Sequence, residues 1–196
     1  MPGLTQIELD LISDAEVLAI KRDALHKVND LLLDTKNLLD TARHLSPLAI
    51  PRGENAYSGK ISRGENYRGL PYLILDFPAL FSRKDIFAFR TMFWWGHFFS
   101  VALHLQGTYL QQHIQAIFNN FDRLVGNGLF ISVAETPWEY HYAADNYILL
   151  EENHRDTLGS LDFLKLSIQV PLDRSRDLPS RASEFYQLMG DVTGKD

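Results

Sequence analysis

Two histidines, His97 and His104, lie in the most aromatic part of the chain, FAFRTMFWWGHFFSVALHLQG (87–107). Imidazole nitrogens bind metal ions or transfer protons near neutral pH, so the placement of these two residues matters. Residues seven apart share a face of a helix, whereas on a strand an odd separation puts them on opposite faces of the sheet. Gly96 and the many Phe, Trp and Val residues favour strands. We therefore predict that the two histidines do not share a site.

Another histidine occurs in WEYHY (138–142), where Glu139 and His141 alternate with aromatic residues. On a strand these two side chains point the same way, as an acid–base pair or a metal site requires. No HExxH or related spacing accompanies them. One functional alternative is therefore a metal-dependent or acid–base hydrolase that uses His97 or His104 with Glu139 and His141. Beyond this alternative the sequence identifies no catalytic residue, metal site or cofactor.

Arginine and glycine recur together in PRGENAYSGKISRGENYRG (51–69), where RGEN occurs twice. Glycine lets the backbone approach a ligand closely, and a guanidinium can hold a carboxylate or phosphate through two hydrogen bonds. The leading hypothesis is therefore a domain that binds a small anionic ligand or partner through this segment. The predicted binding residues are Arg52, Tyr57, Lys60, Arg63, Tyr67 and Arg68.

The charge distribution is uneven in a way that suits this hypothesis. The whole chain carries a net charge of −6, yet residues 43–90 contain eight basic and four acidic side chains. A local excess of positive charge on an acidic protein can attract a small anion. The overall acidity argues against nucleic acid as a partner, because phosphate neutralisation dominates that binding. The common phosphate-loop patterns and the GxSxG nucleophile motif are absent.

The composition also bears on the compartment. The chain has no cysteine, which removes disulfides and thiolate ligands and fits a reducing compartment. The first residues, MPGLTQIELDLISD, lack the basic-then-apolar order of a signal peptide. Polar residues interrupt the longest segment without charged side chains, 91–121, so it offers no run of ~20 apolar residues for a membrane span. We predict a cytoplasmic protein without a membrane partner.

The N-terminal region is predicted to hold a short strand and a long helix. Apolar residues alternate in GLTQIELDLI (3–12), which is typical of a strand, and Ser13 is predicted to cap a helix that runs to about His44. The helix carries a leucine every seven residues, at Leu18, Leu25, Leu32 and Leu39, beside a second apolar stripe. This wide face suits packing against a sheet. A third functional alternative is a structural subunit that dimerises through this helix.

The remaining elements follow from the same periodicities. Residues 46–70 are predicted to form a long loop, because they are rich in Gly, Pro, Ser and Asn. A turn at Trp95-Gly96 or Gly96-His97 should join two strands of a hairpin. Further strands are predicted at 71–76, 129–134, 138–142 and 163–170, and helices at 108–125, 143–156 and 177–189.

These elements together predict the fold class. A chain of 196 residues fits one globular domain. We expect an α+β fold whose mostly antiparallel sheet has the aromatic hairpin, about 86–105, at its centre. The long N-terminal helix and the helix at about 108–125 should cover this sheet.

Overall fold

A computed structural model describes residues 3–45, 48 and 56–194 of the chain. The helices are α1 (Gln6–Ser13), α2 (Ala15–Leu45), α3 (Thr108–Asn119) and α4 (Leu178–Thr193). The strands are β1 (Lys60–Tyr67), β2 (Leu70–Phe81), β3 (Ile86–Trp94), β4 (Phe98–Gln106), β5 (Phe130–Ser132), β6 (Tyr147–Leu149) and β7 (Phe163–Pro171). Short 3₁₀ helices span Phe121–Arg123, Glu152–Ser160 and Leu172–Asp177.

The strands form one antiparallel sheet in the order β1-β2-β3-β4-β7-β5-β6. Every neighbouring pair is antiparallel, and the aromatic hairpin of β3 and β4 lies near the middle. The predicted α+β class with a central aromatic hairpin is therefore confirmed.

Helices cover one face of the sheet, here called the helix face. Strand residues on this face alternate with those on the other, as the pleat requires. Phe89 of β3 packs against Phe185 and Tyr186 of α4, with ring centroids 5.4 and 5.2 Å apart. The buried core on this face joins apolar residues of α2, α3, α4 and the sheet. The predicted covering by the long helix and the second amphipathic helix is thus confirmed, although α3 ends at Asn119.

The turn of the central hairpin has three residues, Trp95, Gly96 and His97, rather than the expected two. Trp94 lies opposite Phe98, and Gly96 has a φ of +76°, which glycine adopts without strain. His97 is exposed in this turn, and its ring stacks on Trp94 with centroids 3.6 Å apart. His104 is buried six residues along β4, about 20 Å from the turn by strand geometry. The two histidines therefore do not share a site, as predicted. The reason is the distance between them along β4, not a position on opposite faces of the sheet.

The strand predicted at 3–12 is wrong, because residues 6–13 form α1. Leu4, Ile7 and Leu11 fit the spacing of a helix, while Ile7, Leu9 and Leu11 fit the alternation of a strand. Over so short a segment the pattern is therefore ambiguous. A capping box between Thr5 and Glu8 decides the outcome. Asp14, not Ser13, caps α2, since its Oδ1 accepts hydrogen bonds from the backbone N–H groups of Glu16 and Val17.

The loop predicted at 46–70 is wrong for its second half, where residues 60–67 form β1. Its partner β2 is a largely buried strand, and pairing with it outweighs the weak strand propensity of Gly, Ser and Asn. β1 lies at the edge of the sheet, where charged residues and glycine are tolerated. Residues 46, 47 and 49–55, which include the first RGEN and Arg52, lie outside the described residues.

The last two corrections concern 138–156. Residues 138–142 pair with no strand, and 143–156 contain β6 and the start of a 3₁₀ helix rather than an α-helix. β5, β7 and α4 lie where strands and a closing helix were predicted. In the described part of the chain, no helix combines the length and apolar character needed to cross a bilayer.

Leu32→Ala should lower the free energy of unfolding by about 2–5 kcal/mol, because Leu32 of α2 is fully buried against the core. Leu33→Ala is the matched control, since Leu33 is 43% exposed on the same helix and should cost less than about 1 kcal/mol. Urea unfolding measures both. Equal losses would contradict the orientation of α2.

Candidate functional site

The sheet face opposite the helices lies beneath residues 133–146, here called the covering segment. It joins β5 to β6 and contains neither helix nor strand. Its aromatic residues pack on the sheet: Tyr142 contacts Phe98 edge-on at 5.1 Å, and Tyr140 contacts Tyr67 at 5.5 Å. These rings join a second apolar cluster, separate from the main core. An irregular segment can hold such a position only if its backbone groups find partners, and the sheet supplies them.

Tyr67, at the end of β1, provides one set of partners. Its hydroxyl accepts hydrogen bonds from the backbone N–H groups of Tyr140 (2.7 Å) and His141 (3.2 Å) and donates to Oε2 of Glu139 (3.0 Å). A single phenol thus satisfies two amides that have no strand partner. Desolvation raises the pKa of Tyr67, so the hydroxyl keeps its proton.

A partly buried ion pair provides the second attachment. Arg90 of β3 and Asp76 of β2 are cross-strand neighbours, and the guanidinium donates to both carboxylate oxygens at 2.7 and 2.8 Å. Arg90 also donates to the hydroxyl of Tyr140 in the covering segment. Two-point geometry of this kind holds the guanidinium in one orientation. The pair therefore fixes the middle of the covering segment over β3.

Lys165 of β7 is the third attachment and the most unusual group on this face. It is 2% exposed, and its Nζ donates to the carbonyl oxygens of Pro137 (2.8 Å) and Glu139 (2.5 Å). The Tyr140 ring lies 4.1 Å from Nζ, close enough for a cation–π interaction. Among the described residues no carboxylate oxygen lies within 4 Å of Nζ, in contrast to Arg90. Burial, together with the charge of Arg90, lowers the pKa of Lys165 to about 7.

His104 lies directly opposite Lys165 on β4. Its ring is flanked edge-on by Trp138 at 5.8 Å and Phe163 at 6.0 Å, and its buried Nε2 has no hydrogen-bond partner. Burial, reinforced by the nearby charges of Lys165 and Arg90, lowers the pKa of His104 to about 3. The imidazole is therefore neutral at physiological pH and leaves one polar nitrogen available beside the lysine.

Glu139 and His141, which the hydrolase alternative needs, do lie together. Nε2 of His141 is 3.4 Å from Oε2 of Glu139, and Nη2 of Arg68 is 3.2 Å from the same oxygen. However, Nδ1 of His141 accepts a hydrogen bond from the backbone N–H of Ala143 (3.3 Å). Both imidazole nitrogens are thus occupied. The two residues come together in an irregular part of the covering segment, because the strand predicted at 138–142 does not form.

The residues predicted to bind an anion do not converge on one place. Lys60 and Arg63 have an odd separation within a regular stretch of β1 and point to opposite faces of the sheet. Tyr57 packs on the helix side, where the Arg43 guanidinium lies 4.4 Å from its ring centroid. Tyr67 and Arg68 reach the covering segment, as described above. Arg52 lies outside the described residues.

In residues 3–45, 48 and 56–194, no three His, Asp or Glu side chains are grouped so that they could hold a metal ion. The hydrolase alternative therefore has an acid–base pair but no metal-ligand set within that part of the chain. His97, exposed in the hairpin turn, is not part of the cluster formed by Glu139 and His141.

Sequence reasoning missed the central members of this site. Arg90 and Asp76 are each a lone charge inside an apolar strand, which is a usable signal because such charges are almost never buried unpaired. Lys165 gave no such signal. In FLKLSIQV it alternates with apolar residues, as an exposed lysine on a half-buried strand would. Only the covering segment makes it buried.

The chain was compared with models of known protein families, with curated proteins and with solved structures, and none of the three comparisons gives a match. The fold and site geometry therefore carry the functional argument alone.

Asp76→Ala should lower the free energy of unfolding by about 1–3 kcal/mol, because it leaves the partly buried Arg90 guanidinium without the carboxylate that accepts two of its hydrogen bonds. Glu184→Ala is the control. It removes an exposed ion pair with Arg181 on α4 and should cost less than about 1 kcal/mol. Chemical denaturation gives both values. A loss at Asp76 no larger than that at Glu184 would mean that the pair does not anchor the covering segment.

The lowered pKa of Lys165 predicts a pH dependence of stability. The unfolded chain binds this proton near its ordinary pKa of ~10.4, and the folded protein only near 7, so stability from this group rises with pH between those values. Relative to Lys165→Met, the wild type should gain at most about 1.4 kcal/mol per pH unit from pH 7 upward. Denaturation curves of both proteins from pH 7 to 9.5 measure this difference. A constant difference would show that Lys165 stays protonated throughout.

Proposed function

We propose that this protein binds a small organic anion, such as a carboxylate, beneath the covering segment, with Lys165 as its cationic partner. The observation that carries the proposal is a buried amine with no carboxylate oxygen within 4 Å among the described residues, since the Glu139 carboxylate acts on it only from farther away. Buried charges are normally paired, and an unpaired one is strongly unfavourable. A bound anion would supply the missing charge. The cytoplasmic location suggested by the cysteine-free composition is part of the same proposal.

The donors around Lys165 support an anion of small size. An ammonium has three N–H groups, and two of them are directed to the carbonyls of Pro137 and Glu139, so one is left for a ligand. Nε2 of His104 is the second polar atom without a partner. A neutral imidazole that carries its proton on Nε2 donates one hydrogen bond. One ammonium and one imidazole donor suit the two oxygens of a carboxylate.

The surroundings favour an organic rather than an inorganic anion. Trp138 and Phe163 flank His104 with their edges and provide apolar walls for the carbon part of a ligand. Trp138 is 48% exposed, so one of these walls reaches the surface. Ligand sites commonly combine apolar walls with a few polar groups.

The site differs from the one that the sequence alone suggests. The earlier hypothesis used Arg52, Tyr57, Lys60, Arg63, Tyr67 and Arg68 as the anion-binding set. In the site proposed here, Tyr67 and Arg68 hold Glu139 and thereby position the covering segment, while Lys165 and His104 face the ligand. Substitutions at Lys60 and Arg63 therefore test the anion site predicted from the sequence, in which these two residues bind the ligand.

Acid–base hydrolysis by His104 with Glu139 and His141 has less support. The carboxylate of Glu139 is directed to Tyr67, Arg68 and His141, and the remaining nitrogen of His141 is bonded to Ala143. Neither imidazole then has both an orienting carboxylate and a nitrogen available for a substrate proton.

The proposal is tested by titrating the full chain with formate, acetate, pyruvate and phosphate at constant ionic strength and following the melting temperature and heat of binding. We expect a carboxylate to raise the melting temperature. Above pH 7 its affinity should fall by about tenfold per pH unit, because the free amine loses its proton near pH 7. Lys165→Met should abolish binding.

Lys60→Met is the matched control, since it removes an exposed lysine from the edge strand and should leave binding unchanged. Circular dichroism establishes that Lys165→Met folds, as expected when a buried charge is replaced by an apolar side chain of similar length. Loss of binding in Lys60→Met or Arg63→Met, but not in Lys165→Met, would favour an anion site in the Arg52–Arg68 segment. The absence of stabilisation by every compound would reject both.

A further inference from the structure

The N-terminal arm, defined here as α1 and the first turns of α2 up to Ile20, presents an apolar surface that the described residues leave exposed. Every described residue from 3 to 14 is exposed, and α1 buries none of its side chains. The exposed apolar residues of the arm are Leu4, Ile7, Leu9, Leu11, Ile12, Val17, Leu18 and Ile20. A contiguous surface of this kind marks an interaction site more often than a free surface.

The leucine stripe of α2 indicates where this surface belongs. Leu32 and Leu39 are fully buried in the core, whereas Leu18, two heptads before Leu32, is 63% exposed. The seven-residue apolar pattern of α2 therefore continues beyond the part of the helix that packs against the core. Its unburied portion is continuous with the apolar residues of α1, so one partner can cover both.

An apolar groove begins next to the uncovered part of α2. It has a volume of about 400 Å³ and lies between α2, the tip of the β3–β4 hairpin and the 3₁₀ helix before α4. Its apolar lining residues are Ala24, Val28, Leu31, Phe93, Trp95, Phe99 and Leu172. Among the described residues that line it, Lys27 is the one that carries a charge.

The charges on the arm and at the groove are complementary. Residues 4–20 contain four acidic side chains, Glu8, Asp10, Asp14 and Glu16, and no lysine or arginine. The groove presents Lys27, and Lys21 lies beside it with its Nζ 5.8 Å from the Trp95 ring. An acidic amphipathic helix also suits a membrane surface poorly, because interfacial helices that bind anionic lipid are basic.

We propose that two copies of this chain form a dimer in which α1 of each copy lies in the groove of the other. Ile7 and Leu11, four residues apart, lie on one side of α1, and Leu4 precedes the helix, so the arm offers an apolar side to a groove. Eight helical residues span about 12 Å, and two exchanged arms related by a two-fold axis give a closed, self-complementary interface. The exposed stripes of the two α2 helices, including Leu18, then meet at the axis.

Light scattering with size-exclusion chromatography tests the dimer. At about 100 μM, well above a micromolar Kd, the wild type should have twice the 22.5 kDa mass of one chain. Ile7→Glu combined with Leu18→Glu should give a monomer with an unchanged circular dichroism spectrum, since neither side chain is buried. Leu38→Glu is the matched control, because Leu38 is 41% exposed in the other half of α2 and should leave the dimer intact.

Cross-linking tests which surfaces meet. The chain has no cysteine, so Leu11→Cys combined with Leu172→Cys introduces one thiol on the arm and one in the groove of each chain. A short bismaleimide should link two chains in this variant but not in the control with Leu11→Cys and Leu38→Cys. A monomeric wild type, a dimer that survives Ile7→Glu with Leu18→Glu, or cross-links confined to one chain would each overturn the proposal. These outcomes do not depend on anion binding at Lys165.

Discussion

The structure depends on two cations, the partly buried Arg90 and the fully buried Lys165, on one face of a sheet whose other face is filled by apolar packing. A cation in a low-dielectric environment is tolerated only when hydrogen-bond acceptors or opposite charges surround it. Asp76 and the Tyr140 hydroxyl serve this purpose for Arg90, and two backbone carbonyls and aromatic rings serve it for Lys165. The covering segment supplies most of these groups. Its irregular path is therefore set by the cations beneath it.

The two faces of the sheet have different physical character. On the helix face, interlocking apolar side chains from three helices give a densely packed and rigid layer. On the covered face, polar contacts made by single side chains and a smaller apolar cluster hold a segment that is neither helix nor strand. Such an arrangement combines a firm base with a cover that can rearrange locally at low cost. Ligand sites are often built this way, with positioned groups on strands and an adaptable loop above them.

Much of the fold could be predicted from the sequence, because apolar periodicity is strong where elements are long. The stripe of α2 and the aromatic strands β3 and β4 are examples, since each has a dense and regular pattern. Periodicity failed in α1 and β1, which are short or lie at an edge. There a capping box and pairing with β2 decided the structure.

The site could be predicted only in fragments. Glu139 and His141 stood out because acidic and basic groups adjoin aromatics, and Tyr67 and Arg68 because arginine accompanies glycine. Their meeting depends on contacts between residues more than seventy positions apart, such as Tyr67 with Glu139. Lys165 became notable only once its burial was known, and burial of a strand residue depends on what crosses above it. The sequence of β7 alone does not show which segment of the chain packs over Lys165.

The hydroxyl of Tyr67 has a kinetic consequence for the covered face. The amides of Tyr140 and His141 are both held by this one oxygen, which belongs to the strand at the outer edge of the sheet. Rotation of a single side chain at the rim therefore releases two neighbouring backbone groups together. The two amides should therefore exchange with solvent at a common rate, set by the motion of the Tyr67 ring, while Arg90 and Lys165 still hold the rest of the covering segment.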